Sequence, residues 1–129
     1  MNRFSYYRRI LASYLLTGTN QLTFWHERPA VNLAAFRPGS DVYYMIFHHK
    51  ADYTGPLDES GIPLLDYHGV LGRHYNPIAI AHYGMGNFNR WRDTGADHRR
   101  RKFIRIGDWL VDATWPGGSA RRWSICPEE

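Results

Sequence analysis

Residues 75–89 of this chain read YNPIAIAHYGMGNFN. A helix is predicted to begin here, because Asn76 is a favourable N-cap and Pro77 suits the first helical turn. Apolar residues then recur at helical spacing as far as Trp91 or Arg92. They fall on two faces, which predicts a helix buried between neighbouring segments.

Two glycines, Gly84 and Gly86, interrupt this predicted helix. Each is expected to cost roughly 1 kcal/mol relative to alanine in an exposed helix interior. Close packing against another segment of the chain or against a ligand would explain their presence.

A second helix is predicted over residues 97–114, after a turn at Thr94-Gly95. The basic run at 99–102 occupies its first turns, where positive charge opposes the helix dipole and Asp97 offsets it. Its inner stripe consists of apolar residues: Phe103, Ile106, Leu110 and Ala113. Together the two helices form an αα-hairpin.

The segments before the hairpin are less regular. The run VYYMIFH at 42–48 predicts a strand, and 52–75 is rich in Gly, Pro and Asp, which predicts a long ordered loop with one short hairpin. Residues 3–16 predict an amphipathic helix. Its apolar stripe is expected to dock on the body of the protein, with a peripheral membrane role as the alternative.

The chain has 129 residues, 43% of them hydrophobic and 22% charged, which predicts one small globular domain or a piece of a larger one. A single cysteine excludes a disulfide framework and a multi-cysteine zinc site. The spacings of the histidines and aspartates predict no metal site. The formal charge of +4 favours an anionic partner: nucleic acid, acidic polysaccharide or anionic lipid.

No apolar run approaches the roughly 20 residues that cross a bilayer, and the first residues do not resemble a secretory signal. A cytoplasmic location is therefore expected. The fold class predicted is α+β, with a short β-rich and loop segment followed by the αα-hairpin. We divide the chain into an N-terminal helix and linker (1–24), a central segment (25–115) and an irregular tail (116–129).

Two runs resemble the signature of the D-glucuronyl C5-epimerases: GIPLLDY at 61–67 and YNPIAIAHYGMGNFN at 75–89. YMIF at 44–47 and DWLV at 108–111 fit the same order. The resemblance covers about residues 25–115, and it implies that the αα-hairpin is the start of an (α/α) toroid beside a β-rich part.

The family consists of isomerases that convert D-glucuronate to L-iduronate units in heparan- or heparosan-type polysaccharide. Proton exchange at C5 passes through an enediolate, which needs positive charge or hydrogen-bond donors. The resemblance therefore implies an acidic polysaccharide (a glycosaminoglycan precursor) as the partner, and no cofactor.

Carried over by resemblance, Tyr75 and Tyr83 are the candidate catalytic residues. The candidate substrate-binding residues are polar or basic: Arg73, His74, Asn76 and His82. A glutamine or similar polar residue usually stands where this chain has His82.

The family's main acid and base lie in a later helical part, so this chain is expected to be truncated and to have little activity alone. Ile80, Tyr83, Trp91 and Trp109 are expected to leave an exposed apolar patch, with marginal stability or self-association as the result.

Two other functions stay open. A non-catalytic module could use the same aromatic and arginine residues to hold an acidic glycan. A small nucleic-acid-binding protein would rely on the basic run at 99–102, but the chain lacks any recognised motif of that class, so no nucleic acid is expected.

Overall fold

The computed structural model describes residues 30–67 and 72–114, together with five single positions nearer the N-terminus. The tail 116–129 and most of the segment 1–24 lie outside the described residues. The described part has short antiparallel strands followed by two helices, as an α+β fold class predicts.

Four two-residue strands form two antiparallel pairs. Strand β1 (Ala30–Val31) pairs with β2 (Met45–Ile46), and β3 (Leu65–Asp66) pairs with β4 (Arg73–His74). The β3–β4 pair confirms the short hairpin predicted within the long loop. Short 3-10 helices lie at Leu33–Phe36 and His48–Asp52.

The strand predicted over 42–48 is wrong beyond Met45–Ile46. Phe47 leaves the extended region with φ −118° and ψ 18°, and the chain turns into the 3-10 helix at His48–Asp52. The Phe47 amide donates to Asn89 Oδ1 at 2.6 Å instead of to a neighbouring strand. His48 and His49 therefore lie in a helical turn.

Helices α1 (Pro77–Thr94) and α2 (Asp97–Thr114) confirm the predicted αα-hairpin. Asn76 Oδ1 accepts from the Ala79 amide at 3.1 Å, which caps α1 as the sequence predicts. Gly95 ends α1 in the left-handed conformation with φ 69°, and its amide donates to Trp91 O.

Helix α1 lies between α2 on one side and the 3-10 helix His48–Asp52 on the other. A Cβ added at Gly84 would stand 2.7 Å from Ile106 Cγ2 on α2. A Cβ added at Gly86 would stand 2.7 Å from both Ala51 N and Phe47 O. The two glycines therefore permit close packing on two sides, which confirms the reason inferred for them.

The core forms where the loop before β3 returns over the αα-hairpin. Its buried members come from both parts: Ile62, Ala79, Ile80, Tyr83, Ile106, Trp109 and Ala113. The exposed patch expected at Ile80, Tyr83 and Trp109 is therefore wrong, because Ile62 and its neighbours in the loop cover these side chains. Trp91 is half-buried.

Four described positions of the N-terminal segment carry its apolar stripe. Phe4, Tyr7, Leu11 and Leu15 are helical and exposed. The docking expected for the stripe involves a segment that lies mostly outside the described residues, so it stays a prediction. Within the part of the chain that the structure describes, every helix is too short or too polar to cross a membrane.

Candidate functional site

The β3–β4 hairpin leads directly into α1, and the side chains at this junction are fixed by a small set of hydrogen bonds. The Asn76 side chain contacts both the helix and the hairpin. Its Oδ1 caps α1, and its Nδ2 donates to the Tyr67 hydroxyl at 2.8 Å. The Tyr67 amide donates to Gly72 O at 2.8 Å, which closes the hairpin. The Tyr67 ring is thereby held beside the helix start, where it is 37% exposed.

Tyr75 is held from two directions. Its hydroxyl donates to Asp58 Oδ2 at 2.7 Å, and its ring packs on Trp109 with centroids 5.0 Å apart. The Asp58 carboxylate is itself fixed, because Oδ1 accepts from the amides of Ser60 and Ile62 at 2.9 and 2.8 Å. Tyr75 is therefore a half-buried phenol with one defined orientation.

Arg73 and His74 occupy β4, with Arg73 exposed and His74 half-buried. Asp66 is the cross-strand partner of Arg73. The Tyr67 and His74 rings lie 6.4 Å apart. One short hairpin thus presents a cation, an imidazole and an aromatic ring, which can together contact an anionic ligand that has a flat apolar face.

A half-buried phenol, Tyr53, lies next to this hairpin. Burial raises the pKa of Tyr53, Asp66 raises it further, and the positive charge of Arg73 opposes the shift. The Tyr53 hydroxyl donates to Leu64 O at 2.7 Å. Tyr53 is therefore a neutral supporting residue, packed against the core with its ring edge-on to Tyr83.

The other two predicted site residues lie elsewhere. Tyr83 is 3% exposed and belongs to the core, with Tyr53 edge-on to its ring. His82 is half-buried and stacks on Phe47 with centroids 5.3 Å apart. Of the six predicted site residues, the four consecutive ones at 73–76 come together at the junction, and these two do not join them.

A second polar cluster, absent from the sequence predictions, ties the segment before β2 to the end of α1. Asp93 accepts from the Tyr43 hydroxyl at 2.9 Å and lies 2.6 Å from His48 Nε2. Burial, the hydrogen bond to Asp93 and its negative charge raise the pKa of Tyr43 to about 12. No sequence signal could have found this cluster, because about fifty residues separate Tyr43 from Asp93.

The basic run on α2 is directed at other groups of the protein. Arg99 donates to Ala51 O and to Asn87 Oδ1, and it pairs with Asp52. Arg101 pairs with Asp97 on its own helix. Arg100 lies over the Trp91 ring, and Lys102 over the Tyr83 ring. Much of the run therefore supports the αα-hairpin.

No group of three or more His, Cys, Asp or Glu side chains within the described ranges could hold a metal ion. Comparison of the chain with protein-family models, curated proteins and solved structures found no match. The resemblance to the epimerases therefore rests on the sequence runs quoted above.

Proposed function

We propose that this chain forms one wall of the substrate site of a D-glucuronyl C5-epimerase-like protein, with a heparosan- or heparan-type polysaccharide as its ligand. One observation carries the proposal: the β3–β4 hairpin and the Asn76 side chain gather polar and aromatic groups at the start of α1. These groups are Tyr67, Arg73, His74, Tyr75 and Asn76.

In the proposed site, Arg73 attracts the uronate carboxylate. Removing the C5 proton moves negative charge onto that carboxylate as an enediolate, and a nearby guanidinium stabilises the enediolate more than the ground state. The hydroxyl of Tyr75, oriented by Asp58, is the candidate proton-transfer group of this wall.

Inversion needs a second proton-transfer group on the opposite face of the sugar. Tyr83 lies in the core, so we propose that this group comes from the later helical part of such a protein. In the same proposal, α1 and α2 correspond to the first hairpin of an (α/α) toroid, and the protein acts in the cytoplasm.

A non-catalytic glycan-binding module is the second candidate. The burial of Tyr83 favours it, because only one of the two candidate catalytic tyrosines lies near the junction surface. The same hairpin would then bind the polysaccharide without proton exchange.

Two measurements test these functions. Binding to heparosan by calorimetry is expected to weaken in Arg73→Ala and to stay unchanged in Arg100→Ala, which removes an exposed arginine from α2. Equal binding by the two variants, or stronger binding to DNA than to heparosan at matched salt, would contradict the proposed site. Incubation with heparosan in deuterated water then separates the candidates, because deuterium at C5 requires the epimerase and binding without exchange indicates the module.

A further inference from the structure

The outer face of α2 segregates charge along its length. Three pairs of exposed residues, each seven positions apart, form this face: Arg101 with Asp108, Ile104 with Val111, and Arg105 with Asp112. Seven residues make about two helical turns, so the members of each pair lie on one side of the helix. Both arginines precede both aspartates along the helix.

The apolar members of this face stay exposed in the folded chain. Ile104 is 40% exposed and Val111 is 59% exposed. The neighbouring aspartates, Asp108 and Asp112, form no ion pair with any residue in the described ranges. An exposed apolar strip beside aspartates that have no ion pair within the described ranges favours association with another protein.

The order of the charges along α2 indicates which partner can pack on this face. A parallel copy of α2 would place arginine against arginine and aspartate against aspartate. An antiparallel copy, related by a two-fold axis across the helix, places Arg101 opposite Asp112 and Arg105 opposite Asp108 of the second copy. Such a face is complementary to itself, which is the requirement for a two-fold symmetric interface.

We propose that this chain forms a dimer by antiparallel packing of α2 on α2 of a second copy. Ile104 and Val111 form the apolar centre of the interface, and the inverted charge pairs border it. The contacts that the two arginines make within their own chain are weak, so they do not prevent pairing with the aspartates of a second copy. Arg101 pairs with Asp97 on the surface, and Arg105 Nη1 donates to Ser60 O at 3.2 Å at an exposed position.

A charge exchange tests the proposal. In sedimentation equilibrium, the unaltered chain is expected to show a concentration-dependent rise to twice the monomer mass. Asp112→Arg sets the introduced arginine against Arg101 of the second copy, and it is expected to weaken the dimer about tenfold or more. Arg101→Asp sets two aspartates against each other and is expected to do the same. The double variant restores opposite charges across the interface and is expected to recover the dimer.

Two controls distinguish a folding defect from the loss of the dimer interface. Asp112→Arg replaces an acid in the last turn of α2 by a base, which the helix dipole favours, so circular dichroism is expected to show intact helices. Glu59→Arg makes the same change of charge at an exposed position outside α2 and is expected to leave the dimer unchanged.

Three results would overturn the proposal. The first is a chain that stays monomeric at every accessible concentration, as it would if its own N-terminal stripe covered the face. The second is a dimer that Asp112→Arg and Arg101→Asp leave unaltered, which would assign the contact to another surface. The third is a double variant that stays as weak as the single ones, because charge complementarity would then not govern the contact.

Discussion

Gly86 is the residue that lets α1 approach the 3-10 helix at His48–Asp52. Gly86→Ala is expected to lower the free energy of unfolding by about 1–3 kcal/mol, because the new methyl group would stand 2.7 Å from backbone atoms of Ala51 and Phe47. That strain outweighs the helix preference of alanine, which is roughly 1 kcal/mol. Urea denaturation measures the change.

Gly107 is the matched control, since a Cβ added there would have no heavy atom within 4 Å. Gly107→Ala is expected to raise the free energy of unfolding by roughly 0.5–1 kcal/mol, measured at a concentration where the chain is monomeric. Equal effects of the two substitutions would contradict the close approach at Gly86.

Tyr43 gives the protein a pH dependence at high pH. Its pKa is raised to about 12 in the folded protein, compared with about 10 for an ordinary tyrosine. The folded state therefore holds this proton more tightly, so the stabilisation is complete below pH ~10 and is lost as the pH rises through about 12. Tyr43→Phe is expected to be less stable than the unaltered chain at neutral pH, with a difference that shrinks between these limits.

Chemical denaturation at a series of pH values measures this difference. Tyr44→Phe is the control, because it removes the hydroxyl of the neighbouring exposed tyrosine, whose ring packs on Phe36. A stability difference for Tyr43→Phe that does not change with pH would show that the Asp93 contact does not persist in solution.

At the scale of elements, the entry into α1 depends on two separable bonds of one side chain. Asn76→Ala removes both the cap on Ala79 and the bond to Tyr67, and it is expected to cost about 1 kcal/mol of stability. Asn76→Ser keeps a good capping oxygen but loses the amide that donates to Tyr67, so its stability is expected to stay close to that of the unaltered chain.

Thermal unfolding followed by circular dichroism measures both variants. Heparosan binding by Asn76→Ser gives a second result, because the freed Tyr67 ring is expected to weaken binding without a loss of helix. A serine variant as unstable as the alanine variant would instead assign the stabilisation to the bond with Tyr67.

For the whole molecule, the decisive packing joins the loop to the αα-hairpin. Ile62 is fully buried in that contact, and Ile62→Ala is expected to cost about 2–5 kcal/mol. Ile78→Ala removes the same atoms at a position 67% exposed and is expected to cost well under 1 kcal/mol.

A single cooperative melt that both circular dichroism and tryptophan fluorescence report would show that the loop and hairpin unfold together. Separate transitions, or equal effects of the two isoleucine substitutions, would contradict a shared core. The marginal stability predicted from the sequence then depends on how much the packing of the loop at Ile62 contributes to the free energy of unfolding.

The two helices could be predicted from the sequence, because their signals are local. The cap at Asn76, the stop at Gly95 and the apolar spacing between them depend on residues within a few turns of one another. The same holds for the hairpin within the Gly- and Pro-rich loop. Residues 73–76 also stay together, since four consecutive residues at a strand-to-helix junction cannot separate.

What each face contacts depends on long-range packing. It placed Tyr83 in the core, drew the Phe47 amide to Asn89 and so ended a strand that the residues alone favour, and joined Tyr43 to Asp93 across about fifty positions. Periodicity shows that a face is apolar or polar but carries no information on its partner. That partner is set by long-range packing, in which burial and hydrogen bonds between distant segments outweigh the local preference of each one.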